Sequence, residues 1–169
     1  MEIVSKSATE TQKIAVLLAR EVAALKGRHA VVLALTGNLG AGKTTFVQGF
    51  AGALGIKEKI ASPTFVIMKA YSLTPKTSNV KPRMFVHIDA YRLKSGKDLE
   101  ALGIHAILRD PHTIVLIEWA ERVKRLIPSD AIRLTFLHGK GRNERIIQLQ
   151  IPKSKVQIKP QAQNPKTSF

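Results

Sequence analysis

Apolar and polar positions follow three different rhythms along this chain, and each predicts a different kind of element. From Ser7 onward, Ile14, Leu18, Val22 and Leu25 recur at helical intervals behind Ser7-Ala8-Thr9-Glu10, which has capping-box spacing. A helix with one apolar face, ending near Gly27, is expected there. Ala30 to Leu35 (AVVLAL) is apolar without alternation, as in a strand buried on both faces. A glycine-rich turn follows, then TTFVQGFAGALG, a helix that Gly55 can stop. The β-branched and aromatic residues from Ser62 to Tyr71 predict a strand, and MFVHID predicts another. With the Ser, Thr, Pro and Lys-rich loop Thr74 to Pro82 between them, they would form a hairpin with a long tip. KDLEALG, Lys97 to Gly103, reads as a short helix, and TIVLI, Thr113 to Ile117, as a second continuous apolar strand. A helix through AERVKRLI would be stopped by Pro128. Two final strands, AIRLTFLHG and RIIQLQI, alternate apolar with polar residues around the turn Lys140-Gly141-Arg142-Asn143.

Helical crossovers and hairpins together predict one α/β domain over residues 1–151, with helices on a mixed parallel and antiparallel sheet in three layers. The remaining residues, 152–169, contain four lysines, three prolines and no acid, and read as a basic, mobile tail. A length of 169 residues with 44% apolar residues suffices for a core without metal or disulfide support. The absence of cysteine excludes thiolate metal sites and cysteine nucleophiles. The first residues have no basic stretch followed by an apolar core, so no signal peptide is expected. No apolar run approaches the roughly 20 residues that span a bilayer, so no membrane role is expected. The formal charge of +15, from 27 Lys plus Arg against 12 Asp plus Glu, suits a polyanion such as tRNA, or a generally basic surface.

The glycine-rich turn changes the picture most. Gly37-Asn38-Leu39-Gly40-Ala41-Gly42-Lys43-Thr44 fits G-x-x-x-x-G-K-[ST] at every fixed position. Glycines let bare backbone approach an anion, and the following helix adds the positive end of its dipole. Lys43 would reach the β- and γ-phosphates of a nucleotide, and the Thr44 hydroxyl would bind Mg²⁺. A chance match in a chain of this length is on the order of one in a hundred, given a glycine frequency of about 7%. A buried-type strand before the loop and a helix after it make coincidence rarer still. Asn38 through Thr45 are therefore the expected phosphate-binding residues. Hydrolysis also needs acids near the metal. Glu118 closes TIVLI and Asp89 closes MFVHI, and acids at the carboxyl ends of sheet strands face the crevice where ligands bind. Thr64 in SPTF is a candidate switch-loop hydroxyl. Trp119 stacks on a base or a partner, or packs in the core. The five histidines lack metal-ligand spacing, and no catalytic role is assigned to them.

GNLGAGKTTF, SPTF, HIDAYRL with DLEALGI, and IEWAERV, in this order and spacing, resemble the bacterial TsaE family over about residues 7–150. The IDxYRL and EW elements are far more discriminating than the P-loop. The resemblance implies a cytoplasmic ATPase of tRNA threonylcarbamoyladenosine synthesis, working with TsaB and TsaD to reset the transferase complex. It implies phosphate and metal roles for Lys43 and Thr44, a Walker B role for Glu118, and a second acid near the metal in Asp89. Thr64 falls on the family's switch-like segment and Trp119 on its EW tryptophan. The family usually has GDLGAGKT, whereas Asn38 stands here in place of the aspartate; turnover of Asn38→Asp against wild type would show whether that charge matters. The resemblance and the lack of an [NT]KxD motif favour ATP over GTP. Arg92 and Arg122 are the arginines available as a finger, unless a partner supplies one. Two other readings share the P-loop. A nucleoside or small-molecule kinase would use the loop Thr74 to Pro82 as its lid. A basic RNA-binding module with structural nucleotide would use Lys140, Arg142 and Arg145.

Overall fold

The computed structural model describes residues 1–58, 60–61, 66–73 and 82–155. The order of elements is β1 (Glu2–Ser5), α1 (Ala8–Ala24), β2 (Val31–Gly37), α2 (Lys43–Ala53), β3 (Met68–Ser72) and β4 (Met84–Asp89). Then come α3 (Lys97–Ala101), α4 (Ile104–Arg109), β5 (Thr113–Glu118), a 3₁₀ segment (Ala120–Leu126), β6 (Ile132–His138) and β7 (Arg145–Gln150). The strands form a seven-stranded sheet in the order β1-β7-β6-β2-β5-β4-β3. Its centre, β6-β2-β5-β4, is parallel; β3 on one edge and β7 on the other pair antiparallel to it, and β1 pairs antiparallel to β7. The mixed sheet expected from the sequence is the sheet observed.

Period-two geometry explains why β2 and β5 read as unbroken apolar runs. Val31, Leu33 and Leu35 of β2, with Ile114 and Leu116 of β5, join the core under α1 and α2. The alternate residues Val32, Ala34, Val115 and Ile117 join a second core with Leu99, Ile104, Val123 and Leu126 on the opposite face. These are the three layers. Phe46, Phe50, Phe85 and Phe136 fill the first core, each fully buried.

α1 opens as its sequence predicts. Ser7 accepts the amide of Glu10 at 3.1 Å, and Glu10 accepts the amide of Lys6 at 2.7 Å. Its buried stripe is Thr11, Ala15, Leu18, Ala19 and Val22. Ile14 and Leu25, expected in that stripe, pack at its margin instead. The small residues lie inward because α2 is close: a Cβ at Gly49 would stand 2.6 Å from the Gln12 carbonyl oxygen.

Two expectations change, and two elements were not foreseen. The strand foreseen from Ser62 begins at Met68, after Ile67 takes a left-handed φ of 66°. The helix expected over AERVKRLI is a 3₁₀ segment broken at Val123, whose φ is −123°. β1 and α4 have no counterpart in the reading of the sequence; β1 is held by pairing to β7 with Glu2 opposite Gln148. Thr64, residues 74–81 of the hairpin tip and residues 156–169 of the tail lie outside the described residues. At the start of that tail, Lys155 is bound to Asp130, with Nζ 2.6 Å from its carbonyl oxygen and 3.0 Å from its carboxylate.

Candidate functional site

The parallel strands β2, β5 and β4 end side by side, and register decides which side chains meet there. Leu35 pairs with Glu118, and Asp89 pairs with Glu118 from the other side. Counting back by two from Asp89 reaches His87 and Phe85, and from Glu118 it reaches Leu116. Phe85 and Leu116 belong to the core under α1 and α2, so His87, Asp89 and Glu118 share the face that carries the start of α2.

The loop from β2 to α2 turns too sharply for ordinary residues. Gly37 has φ 134°, and a Cβ there would lie 2.3 Å from the Phe136 carbonyl oxygen. Gly42 has φ 100° and precedes α2 as its cap without any side-chain hydrogen bond. The first intrahelical bond is Phe46 N–H to Gly42 C=O at 3.0 Å, which leaves the amides of Lys43, Thr44 and Thr45 without acceptors in the helix. An uncapped helix start beside a left-handed glycine attracts an anion. The β6–β7 hairpin braces the loop from outside. Arg145 donates from Nε to the Gly40 carbonyl at 3.2 Å, and His138 Nε2 lies 3.3 Å from the Leu39 carbonyl.

Lys43 is 5% exposed. Its Nζ donates to the carbonyls of Gly37 at 2.6 Å and Asn38 at 2.9 Å, and lies 3.9 Å from the centre of the Trp119 ring. Burial pushes its pKa below the usual lysine range, against the opposing pull of Glu118, Glu121 and Asp89. Thr44 donates its hydroxyl to Glu118 Oε2 at 2.9 Å. The other oxygen, Oε1, lies 2.8 Å from His87 Nε2, and both side chains are buried. Asp89 Oδ1 accepts the amide of Tyr91 at 2.9 Å. Trp119 enters the 3₁₀ segment in a left-handed conformation and packs on Tyr91, with ring centres 4.9 Å apart. Arg122 stands over Tyr91 at 5.4 Å and over Trp119 at 5.8 Å.

A cavity of about 350 Å³ opens between these groups, lined by Lys43, Thr44, Asp89, Tyr91, Glu118 and Trp119 among others. A smaller one, about 110 Å³, lies across the loop against the start of α1, where Ser7, Thr11, Thr45, Asn143 and Arg145 meet. Of the residues proposed from sequence, Leu39, Gly40, Gly42, Lys43, Thr44, Thr45, Asp89, Glu118 and Trp119 line the larger cavity. Ala41 is buried beneath the loop, and Asn38 contributes its carbonyl to Lys43. Thr64 cannot be placed, since it lies outside the described residues. Sequence reasoning missed His87, which was set aside with the other histidines for want of metal-ligand spacing. Its signal was its place two residues before Asp89, on the same strand face. Arg145, assigned to a basic surface patch, turns inward to the loop.

A parallel sheet with this loop after its central strand and acids at the neighbouring strand ends defines a P-loop-type α/β protein. The family model described as "Threonylcarbamoyl adenosine biosynthesis protein TsaE" matches residues 5–147, and the chain belongs to that family. Among relatives, the Streptomyces coelicolor protein named tRNA threonylcarbamoyladenosine biosynthesis protein TsaE is 39% identical over 59% of this chain and 64% of its own length. The Bacillus subtilis protein of that name is 37% identical over 69% of this chain and 66% of its own. The match thus spans just under two thirds of each of these two. The Treponema pallidum protein of that name is 34% identical over 80% of this chain and 90% of its own length. A crystal structure of Bacillus subtilis YdiB superposes with a TM-score of 0.70 at 28% identity, covering 94% of this chain and 90% of that one.

Proposed function

We propose that this protein is a Mg²⁺-dependent ATPase serving threonylcarbamoyladenosine modification of tRNA, working in the cytoplasm with TsaB and TsaD to reset the transferase complex. The observation that carries the reading is the link from Thr44 to Glu118 at 2.9 Å, formed where an uncapped helix start and the Lys43 ammonium converge. Phosphate oxygens would take the loop amides and the Lys43 ammonium, which in the free chain is spent on two carbonyls and the face of Trp119. The nucleoside would lie against the smaller cavity, whose walls offer hydroxyl, amide and guanidinium groups rather than a carboxylate.

The donor set also fits magnesium. Among the described residues no group of three His, Asp or Glu can hold a metal alone. A hydroxyl and one or two carboxylates, with phosphates and water completing the shell, is how Mg²⁺ is usually bound. When bound, the ion would neutralise charge developing on the transferred phosphoryl group. Thr44, Glu118 and Asp89 are the residues that would hold it, and Lys43 would stabilise the same charge directly. Trp119 and Thr64 would border the nucleotide. Turnover by the isolated chain should be slow, and a partner's arginine would add about 10³ to 10⁵.

The test is ATP hydrolysis with Mg²⁺, with and without TsaB plus TsaD, for wild type and Glu118→Ala. Stimulated turnover that the substitution abolishes is expected. Nucleotide binding without stimulation would withdraw the partner assignment, and phosphorylation of an added acceptor would put a kinase in its place.

A further inference from the structure

We infer that His87 is a positioning residue for Glu118, holding one carboxylate oxygen so that the other stays committed to Thr44. The inference rests on the ATPase reading above. His87 is fully buried on β4, stacked near Phe85 with ring centres 6.5 Å apart. Its Nε2 meets Glu118 Oε1 at 2.8 Å. Its Nδ1, also buried, has no hydrogen-bond partner among the described residues. A bare buried N–H is rarer and costlier than a bare lone pair. The ring hydrogen therefore sits on Nε2 and is donated to Glu118, and Nδ1 is left as a buried, unprotonated nitrogen.

The consequence falls on Glu118. A glutamate tethered at Oε2 alone keeps rotamer freedom and has a competing attraction in the Lys43 ammonium, for which it is the leading neighbouring charge. Gripped at Oε1 from within the sheet, the carboxylate is kept on the Thr44 hydroxyl, and Lys43 stays available for phosphate. Groups that orient a metal-binding carboxylate in this way govern metal affinity more than they govern binding of the rest of the ligand.

Two measurements test this. In ¹⁵N-histidine spectra of the free protein, His87 should show a protonated Nε2 and an unprotonated Nδ1; a hydrogen on Nδ1 overturns the inference. The second compares His87→Phe, which fills the apolar space without a donor, with His87→Gln, whose amide can donate from near the Nε2 position. The readout is binding of a fluorescent ATP analogue as Mg²⁺ is added. His87→Phe should need about 10- to 100-fold more Mg²⁺ for the same tightening, with Mg²⁺-free affinity within about twofold of wild type, and His87→Gln should recover most of the loss. A wild-type Mg²⁺ requirement in His87→Phe, or equal damage in both variants, would reduce His87 to packing. If the wild type itself binds no analogue, the ATPase reading fails first, whereas binding with an unshifted His87→Phe removes this inference alone.

Discussion

Lys43 shows at the scale of one residue how a binding site works against the fold that carries it. Desolvation is the largest influence on its ammonium and lowers its pKa below 10.5, despite Glu118, Glu121 and Asp89 nearby. Between that lowered value and the ordinary one, the unfolded chain binds more protons than the folded chain, so stability rises with pH across the interval. Below it the folded protein bears the cost of a buried charge. Lys43→Met should accordingly leave the unfolding temperature at pH 7 unchanged or raised, although two hydrogen bonds are lost. The same substitution should weaken ATP binding by about 10- to 100-fold, the worth of a hydrogen bond to a charged group at about 1.5–3 kcal/mol. On the proposed role the protonated amine is the binding form. Wild-type affinity should therefore decline on the alkaline side at lower pH than an ordinary lysine would allow, and the decline should vanish in Lys43→Met. Titration calorimetry across pH with parallel thermal melts reads both. A flat wild-type profile would mean that the ammonium does not contact phosphate.

At the scale of elements, the contact between α1 and α2 reverses a general rule. Gly→Ala inside a helix ordinarily gains about 1 kcal/mol through propensity. At Gly49 a new Cβ would meet Gln12 backbone at 2.6 and 2.7 Å, and backbone cannot step aside as a side-chain tip can. Gly49→Ala should destabilise by about 1–3 kcal/mol, the usual cost of overpacking, visible as a lower urea midpoint. Gly52, in the same helix with open space around it, is the control and should show the ordinary gain. This pairing also shows what a sequence discloses about elements. Both helices, the strands β2 and β5 and the P-loop were legible, because local periodicity and capping chemistry specify them without reference to the rest of the chain. β1 was not, since Glu2–Ser5 becomes a strand only by pairing with β7 nearly the whole chain away. The 3₁₀ course of residues 120–126 follows from the left-handed entry at Trp119, set by packing over Lys43 and Tyr91, which no spacing of residues reveals. Lys43, Thr44, Asp89 and Glu118, which line the larger cavity, were readable as candidates from motif and strand ends. His87 was not, because its partner is fixed by strand register rather than by distance along the chain.

For the whole molecule the open matter is the charge of +15, and the position of the lysines narrows where it acts. Beyond residue 155 the chain carries only Lys159 and Lys166, and Lys59, Lys76 and Lys81 also lie outside the described residues, so +10 of the +15 belongs to the part whose structure is described. Within that part Lys155 is paired with Asp130, which leaves fewer unpaired cations for a polyanion than the sequence count implies. If the surface binds tRNA, log affinity should fall linearly with log salt, by about 0.7 for each phosphate neutralised on a single-stranded segment. Replacing Lys159 and Lys166 together with alanine should change that slope by no more than about 1.4, the share of two phosphates. Fluorescence anisotropy with labelled tRNA over a salt series makes the comparison. A slope that collapses in the double variant would move the nucleic-acid contact to the tail. Undetectable binding at low salt would instead show that the charge serves no tRNA contact.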